Sequence, residues 1–439
     1  MKKVVIFYIL ALCATMHSVM PIYANDASMG RTPEGVYLMN NDQIAMTSED
    51  IKIYPFKGFA ECTFEFINYG EATEILMGFP ATLKEDLVDP IMQDIERTAL
   101  KDFTAADESG SIEVKLEKGT PKYDDSNYSL WYTFKVKFNK GEKKVIRNTY
   151  SFENTYYSNG DISTGYIIDT GAGWKDKIGH AKVTFFTPDT EAYEITSLRG
   201  DPYFSLGDGV IIWERYDFEP AKNIEILINT ILSEEHINRI DDHQYKDSLL
   251  ELKGKLEILQ SSIFTMDRDS LIKEFFDPQP VGLDSYGYSM YGLRLLAFQR
   301  FSELEAQTDN IIGMRIGNNS IFVNGTIQTF EPEGGASAVP EIKYGRTFVP
   351  IRFIVENMGG DIEWDEQLRQ ITIKNKGKTI VMNIGEKSIL EDGLKKEIDA
   401  APEIINGRTI VPIRFVAESM GLAVEWCEDK ELVLISGKK

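Results

Sequence analysis

The chain repeats one segment near its C-terminus: residues 345–373 read GRTFVPIRFIVENMGGDIEWDEQLRQITI, and residues 407–435 read GRTIVPIRFVAESMGLAVEWCEDKELVLI. The two copies align without a gap at an offset of 62, and 15 of the 29 positions are identical. Self-similarity of this length indicates a duplicated supersecondary unit. The first copy carries six extra residues around positions 333–337, where we expect a surface loop.

Each copy predicts a short strand, a helix and a second strand. Pro350 suits a first helical turn, where its missing N–H group costs no hydrogen bond. Apolar residues then recur at i, i+3, i+4 and i+7, the spacing that lines one helix face. They are Ile351, Ile354, Val355 and Met358 in the first copy, and Ile413, Val416, Ala417 and Met420 in the second. Gly359 and Gly421 are expected to end the helices in a left-handed conformation.

Trp364 and Trp426 follow each helix in a segment with the period-two alternation of a strand. We predict that both rings are buried, because a large aromatic residue on an amphipathic strand usually belongs to a core. The alternative is that they are exposed faces on which a sugar ring stacks. Exposed ion pairs are predicted on the two helices, at Arg352–Glu356 and Arg414–Glu418.

The doubled GRT-x-VP-I-RF block resembles the copper amine oxidase N-terminal-like domain, a stalk-type module of exported Gram-positive proteins. The resemblance covers residues 311–436 and implies an extracellular structural or spacer module with any catalytic part elsewhere. It does not imply copper, since residues 311–439 contain no histidine. Asn68-Tyr69 and Asn127-Tyr128 are followed by Gly70 and Ser129, so the acidic neighbour of a quinone-forming tyrosine is missing. We predict no catalytic residue, metal ligand or cofactor.

Composition limits the classes of protein. The chain has 439 residues, with 69 acidic against 47 basic side chains and a net charge of -22. This length suggests two or three domains of about 100–200 residues. Hydrophobic residues make up 43%, enough for packed cores, so general disorder is excluded. Nucleic acid is an unexpected partner because two polyanions repel each other.

The first 24 residues have the three parts of a secretory signal peptide: two lysines, an apolar run at residues 4–14, and Ala24 before the polar Asn25. We expect cleavage after Ala24, which removes Lys2 and Lys3 and changes the net charge from -22 to -24. The alternative is a buried N-terminal helix. No later stretch approaches the ~18 apolar residues of a membrane span. An exported protein, secreted or held at the cell surface, is expected.

The cysteine and histidine content argues against several enzyme classes. Removal of the signal leaves Cys62 and Cys427, too few for a disulfide scaffold. No nucleophile elbow, His-Glu-x-x-His sequence or phosphate-binding loop is present. A cysteine hydrolase pairing Cys62 with His180 is disfavoured, because Cys62 alternates with phenylalanines as a buried strand residue does. A glycosidase using two carboxylates stays open, since acidic residues are too numerous to single out two.

Between residues 35 and 233 the sequence is typical of a sheet protein. Strands are predicted at residues 60–67, 112–116, 130–138, 145–152, 181–186, 210–213 and 224–231, with polar turns between them. This pattern predicts an antiparallel β-sandwich. One inserted helix is predicted at residues 89–100. The whole chain is expected to be mainly β with an α+β part.

Residues 25–28 with 44–53, and residues 166–174 with 178–179, resemble an exported bacterial domain family that has no assigned activity. Gly171 and Gly173 are candidate ligand-binding residues because they allow close backbone approach, with Trp174 as a stacking face. The favoured alternative is a tight turn held by a buried tryptophan.

Residues 234–306 change to a helical pattern. A seam with steps of three and four consists of Leu249, Leu252, Leu256, Leu259 and Ile263, and a second stripe consists of Leu293, Leu296, Ala297, Phe301 and Leu304. We expect both stripes to pack against a neighbouring domain. His236 and His243, seven apart, would lie about 10 Å apart along one helix, too far to share a metal ion.

These patterns predict a signal peptide at residues 1–24, a β-sandwich at 25–232, a helical connector at 233–310 and a duplicated stalk module at 311–437. Residues 311–439 carry 16 basic and 19 acidic side chains, which leaves 29 and 50 for residues 25–310. We hypothesise that the near-neutral module lies against the anionic cell wall and presents the acidic sandwich as a binding domain. A wall polymer or surface glycan is the expected partner. The alternative function is an extracellular hydrolase that acts on such a polymer through an unidentified carboxylate site.

Overall fold

The computed structural model describes residues 26–32, 35–83, 100–120, 128–278, 290–305, 308–330 and 339–438. The predicted signal peptide, the loop at residues 333–337 and nearly all of the predicted helix at 89–100 lie outside these residues. The chain divides into two units, Met1–Pro188 with Gly209–Thr230, and Asp189–Asp208 with Ile231–Lys439. The second unit therefore contains the predicted connector, the predicted stalk module and a segment from the predicted sandwich.

The strands up to residue 229 are, in chain order, β1 (Ala27–Thr32), β2 (Gly35–Leu38), β3 (Ile44–Tyr54), β4 (Phe59–Asn68), β5 (Thr73–Leu83), β6 (Leu100–Asp107), β7 (Gly110–Ile112), β8 (Lys115–Lys118), β9 (Tyr128–Phe138), β10 (Lys143–Phe152), β11 (Thr155–Tyr156), β12 (Asp161–Tyr166), β13 (Ile178–Phe186), β14 (Ile195–Arg199), β15 (Phe204–Gly207), β16 (Val210–Phe218) and β17 (Ile224–Asn229). Strands β14 and β15 belong to the second unit. The strand predicted at residues 112–116 is wrong in detail, because β7 and β8 are separate strands in different sheets.

Two sheets of the first unit form the predicted sandwich. One has the strand order β2-β1-β5-β9-β8 and the other β16-β13-β3-β4-β10-β6-β7. Aromatic contacts join their facing sides: the ring centroids of Phe79 and Tyr150 are 5.3 Å apart, and those of Phe66 and Phe138 are 6.4 Å apart. One pair departs from the antiparallel prediction, since β13 runs parallel to β3.

The larger sheet turns alternate side chains inward, as its sequence pattern predicts. On β4, Cys62, Phe64 and Phe66 are buried, whereas Glu61 and Glu65 are exposed. The neighbouring strands keep the same alternation. Successive strand residues point to opposite faces, so every second residue of a strand faces the core.

The second unit also contains the helices α1 (Glu234–Asn238), α2 (His243–Ile263), α3 (Arg268–Phe275) and α4 (Tyr291–Leu304). The predicted seam on α2 is confirmed, since it packs in one apolar cluster with α3 and α4. Asp242 caps α2 by accepting a hydrogen bond from the backbone N–H of Tyr245 at 3.0 Å. His236 and His243 are exposed, but the assumption that they share one helix is wrong because they lie on α1 and α2.

The remaining strands are β18 (Thr308–Arg315), β19 (Ser320–Val323), β20 (Thr326–Thr329), β21 (Glu341–Lys343), β22 (Arg346–Pro350), β23 (Asp361–Asp365), β24 (Gln370–Asn375), β25 (Lys378–Asn383), β26 (Ser388–Glu391), β27 (Leu394–Glu397), β28 (Glu403–Ile405), β29 (Arg408–Pro412), β30 (Ala423–Cys427) and β31 (Leu432–Lys438), with helices α5 (Ile351–Asn357) and α6 (Ile413–Ser419). Their sheet orders are β20-β19-β18-β31-β30, β21-β22-β29-β28 and β23-β24-β25-β26-β27.

The sheet around β18 serves two cores. Its residues Ile312 and Ile435 pack into the core of the repeats, whereas Ile311 and Leu434 pack with helices α2 to α4. Adjacent residues of one strand thus pack into two different cores, one with the helices and one with the repeats. This shared sheet explains why both belong to one unit.

The two repeats fold as the sequence predicts. The apolar stripes of α5 and α6 are buried in one core, and Gly359 and Gly421 adopt positive φ angles of 74° and 81° after the helices. Pro350 and Pro412 end β22 and β29 in an extended conformation, one residue before the first helical turn.

Candidate functional site

Two related grooves lie in the repeat region. We name them groove A and groove B, with cavity volumes of about 680 and 630 Å3. Groove A is lined by Arg352, Phe353 and Glu356 of α5, Ile362, Glu363 and Trp364 of β23, and Gly407, Arg408 and Thr409 of the other repeat. Groove B is lined by the equivalent residues Arg414, Phe415, Glu418, Val424, Glu425, Trp426, Gly345, Arg346 and Thr347.

Each groove needs both repeats. The helix and the tryptophan strand come from one copy, and the Gly-Arg-Thr turn comes from the other. The turn reaches across because β22 and β29 are paired in one antiparallel sheet. A single repeat would therefore supply only part of either groove.

The prediction that Trp364 and Trp426 are core residues is wrong: their exposed fractions are 38% and 40%. Trp364 lies opposite the buried Ile371, so the alternation assigns its face correctly. However, β23 and β30 are edge strands, which leaves each ring without a neighbouring strand on one side. The two rings form part of the groove walls instead.

Two ion pairs lie at groove A. The guanidinium of Arg352 lies 3.4 Å from the Glu356 carboxylate, as predicted, and also donates to the backbone oxygen of Ile362 at 3.4 Å. The ammonium of Lys374 lies 2.9 Å from Glu363. These pairs are solvent-exposed, so they contribute little to stability.

The ion pairs of groove B differ from those of groove A. The predicted Arg414–Glu418 pair does not form. The Glu425 carboxylate instead receives a hydrogen bond from Arg268 of α3, which raises the pKa of the Arg268 guanidinium. The Nε atom of Arg346 donates to Asp399 at 3.1 Å. The equivalent tryptophans are therefore surrounded by different ion pairs.

Both grooves combine one exposed indole face, apolar walls and a rim of carboxylates and guanidinium groups. An aromatic ring packs against the apolar face of a ligand, while the rim groups accept and donate directional hydrogen bonds. Sugar rings present apolar C–H faces edged by hydroxyl groups. The chemistry of the grooves therefore suits a carbohydrate.

Gly171, Gly173 and Trp174, the candidates in the first unit, lie together at the short 3-10 helix Asp169–Gly173. Trp174 is only 5% exposed, and its indole Nε1 donates to the backbone oxygen of Asp26 at 3.0 Å. The carbonyl of Gly173 accepts from the backbone N–H of Asn41 at 2.7 Å. This geometry is a turn held by a buried tryptophan. A ligand-binding role for the three residues stays a prediction.

Sequence reasoning missed a buried polar cluster in the first unit, consisting of Asp26, Glu49 and Asn148, each with an exposed fraction of 0%. Asn148 Nδ2 donates to Asp26 Oδ1 at 2.8 Å. Burial, with a further contribution from the nearby Asp26 charge, raises the pKa of Glu49 to about 8. The sequence itself indicated that Glu49 is buried. Glu49 lies two residues before Ile51 and four before Ile53, so the three side chains share the inner face of the strand.

Cys62 and His180 lie on opposite faces of the larger sheet. Cys62 is buried, and burial raises the pKa of its thiol well above the usual value. His180 points outward, where its Nε2 lies 2.9 Å from Glu214 Oε1 and its ring stacks on Tyr216. The pair cannot act together as a nucleophile and its base.

The repeat region does not suit a copper centre, because it has no histidine ligand. In the part of the chain that the structure describes, no three His, Cys, Asp or Glu residues are grouped to hold a metal ion. Among the same residues, no helix is long and apolar enough to cross a membrane.

Both repeats, residues 345–373 and 407–435, lie within a segment that matches a known family. Residues 335–435 match the copper amine oxidase N-terminal domain family. This match to the N-terminal domain of the oxidases includes no catalytic domain. No curated protein sequence matches the chain. The crystal structure of a "putative nutrient binding protein" from Legionella pneumophila is similar at 18% identity and a TM-score of 0.36, covering 64% of this chain and 99% of that chain.

Proposed function

We propose that this is an exported, non-catalytic cell-surface protein whose repeat module binds a cell-wall glycan in grooves A and B. The observation that carries the proposal is the half exposure of Trp364 and Trp426 at equivalent positions of two equivalent grooves. Exposed tryptophans are uncommon outside binding sites, because burying an indole ring is strongly favourable. Here the exposure occurs twice, in the same setting.

The duplication supports a polymer as the ligand. A chain of repeating sugar units can occupy both grooves at once, and the second contact is then intramolecular. Weak single sites of this kind give firm attachment to a polymer and weak binding to a monomer. This behaviour suits a protein that is anchored without a covalent link.

Export is supported by the sequence of the first 24 residues. Charge supports the role of the repeats, since residues 311–439 hold 16 basic and 19 acidic side chains and are nearly neutral. A nearly neutral module approaches an anionic wall without strong repulsion. The acidic residues 25–310, with 29 basic and 50 acidic side chains, are then available to other partners.

Sedimentation with purified cell walls tests the proposal. The full mature chain is expected to sediment with the walls, and the Trp364→Ala, Trp426→Ala double variant is expected to stay in the supernatant. Tyr156→Ala is the matched control, because this ring is 72% exposed and lies in the other unit. Equal sedimentation of the double variant and the wild type would contradict the proposal. Release of sugar fragments from the walls would instead support the hydrolase alternative.

A further inference from the structure

The repeat module has an internal two-fold axis. The register of β22 and β29 places Phe348 opposite Pro412. The equivalents of these two residues in the other repeat, Ile410 and Pro350, also lie opposite each other. Because the two strands are antiparallel, exchanging them by a half-turn leaves this pattern unchanged.

The symmetry extends to the two five-stranded sheets of the module. Written from the tryptophan strand, their orders are β23-β24-β25-β26-β27 and β30-β31-β18-β19-β20. Both contain an equivalent hydrogen bond: the backbone N–H of Ile316 donates to the carbonyl of Glu431 at 3.1 Å, and that of Ile384 donates to the carbonyl of Arg369 at 3.0 Å. Grooves A and B are therefore related by the same two-fold axis.

The two grooves lie at opposite ends of the β22–β29 pair. Arg346 begins β22 and lines groove B, whereas Arg408 begins β29 and lines groove A. Pro350 lies opposite Ile410, so the position of Arg408 is two residues beyond Pro350 and six beyond Arg346 along the strand direction. At the usual rise per residue this separation is on the order of 20 Å. The grooves are thus separate sites, and both lie off the axis.

This symmetry restricts how a glycan can bind. A glycan chain has a direction, because its two ends differ. The half-turn that carries groove A onto groove B cannot leave a straight chain in place with its direction unchanged, since both grooves lie off the axis. A single chain therefore makes the same contacts in both grooves only if it turns back on itself. Two neighbouring strands make these contacts without bending.

We propose that grooves A and B hold two separate segments of wall glycan, so that one protein molecule bridges two strands. Each groove has its own exposed indole, Trp364 or Trp426, so neither depends on the other for a stacking face. The inference rests on the glycan binding proposed above and adds the number of segments that are bound. The protein is then a non-covalent cross-link of the wall.

Isothermal titration calorimetry counts the bound segments. The full mature chain is titrated with wall glycan that has been solubilised by sonication and fractionated to a narrow range of lengths greater than the distance between the grooves. We expect two fragments per wild-type molecule and one in Trp364→Ala or Trp426→Ala, because each substitution removes one stacking face. One fragment per wild-type molecule would overturn the proposal, since a single chain would then span both grooves.

Light scattering from unfractionated glycan strands tests bridging directly. With the wild type, scattering should rise as protein is added and fall again in excess protein, when each strand is saturated separately. Each single tryptophan variant should lose the rise. Tyr156→Ala is the control and should behave as the wild type, because this exposed ring lies in the other unit. No rise with the wild type, or a rise that persists in the single variants, would overturn the proposal.

Sedimentation with intact walls distinguishes a failure of glycan binding from a failure of bridging. A wild-type chain that stays in the supernatant contradicts glycan binding itself. A wild-type chain that sediments with the walls, yet takes up one fragment and gives no rise in scattering, contradicts the bridging alone.

Discussion

Val349 of the first repeat lies directly opposite Val411, its own equivalent in the second repeat. The pairs on either side are Phe348 with Pro412 and Pro350 with Ile410, so β22 and β29 are related by a local two-fold axis through the valine pair. In this register, the Gly-Arg-Thr turn of each repeat lines the groove formed by the helix and the tryptophan strand of the other repeat. It is the reason that two equivalent grooves exist.

Tryptophan fluorescence should report on the grooves. Trp131, Trp174 and Trp213 have exposed fractions of 0%, 5% and 1%, so of the five tryptophans only Trp364 and Trp426 are substantially accessible. We expect acrylamide to quench these two, and soluble wall fragments to protect them. The Trp364→Phe, Trp426→Phe double variant should lose the quenchable fraction. Undiminished quenching in that variant would contradict the assignment.

Two glycines in the helices predict opposite effects on stability. A Cβ atom at Gly292 would lie 2.1 Å from the backbone oxygen of Ala192, so Gly292→Ala is expected to destabilise the protein by about 1–3 kcal/mol or more. Gly254 has no atom within 4 Å of that position, and Gly254→Ala is expected to stabilise α2 by about 1 kcal/mol. Urea unfolding of both variants measures the difference. Similar effects in the two would show that the close contact at Gly292 relaxes freely.

The buried Glu49 predicts that the stability of the protein depends on pH. Its pKa rises from 4.5 to about 8 on folding, so the folded state keeps a proton that the unfolded state releases. The free energy of unfolding should therefore fall as pH rises from 4.5 to 8, by a total on the order of 5 kcal/mol. The raised pKa of Asp26 acts in the same direction.

Other groups near Glu49 do not disturb this pH range. Burial raises the pKa values of Cys62 and Tyr166 well above normal, so both stay neutral below pH 8. Urea unfolding at several pH values should show a flatter profile for Glu49→Gln than for the wild type. Asp50→Asn is the control and should retain the fall.

Arg268 connects α3 to groove B. Its guanidinium contacts the carboxylates of Glu305 and Glu425 and lies 5.5 Å from the centre of the Phe301 ring. Arg268→Ala is expected to destabilise the protein by about 1 kcal/mol, because these contacts are partly exposed. A double-mutant cycle with Glu425→Gln should give a non-zero coupling energy in chemical unfolding. An additive result would mean that this contact is not formed in solution.

The sequence predicts local structure well where one physical rule decides it. The spacing of Ile351, Ile354 and Val355 requires a helix, and Gly359 can take the positive φ that ends it. Exposure of Trp364 was not predictable, because alternation assigns a face but does not say which strand lies at the edge of its sheet. The groove depends on the β22–β29 pairing, which joins residues 62 positions apart and leaves no local signal. The parallel pairing of β13 with β3 could not be predicted either, because it also joins residues that are far apart in the sequence.

The pairing of β18 with β31 has a consequence for how the repeat region folds. Ile312 lies opposite Ile435, so the first and last strands of the region are neighbours in one sheet. Contacts of such long sequence separation form slowly, because the intervening loop must be closed first. During synthesis, this sheet remains incomplete until residues 432–438 have emerged from the ribosome. The core of the repeats therefore cannot be completed before β31 has been synthesised.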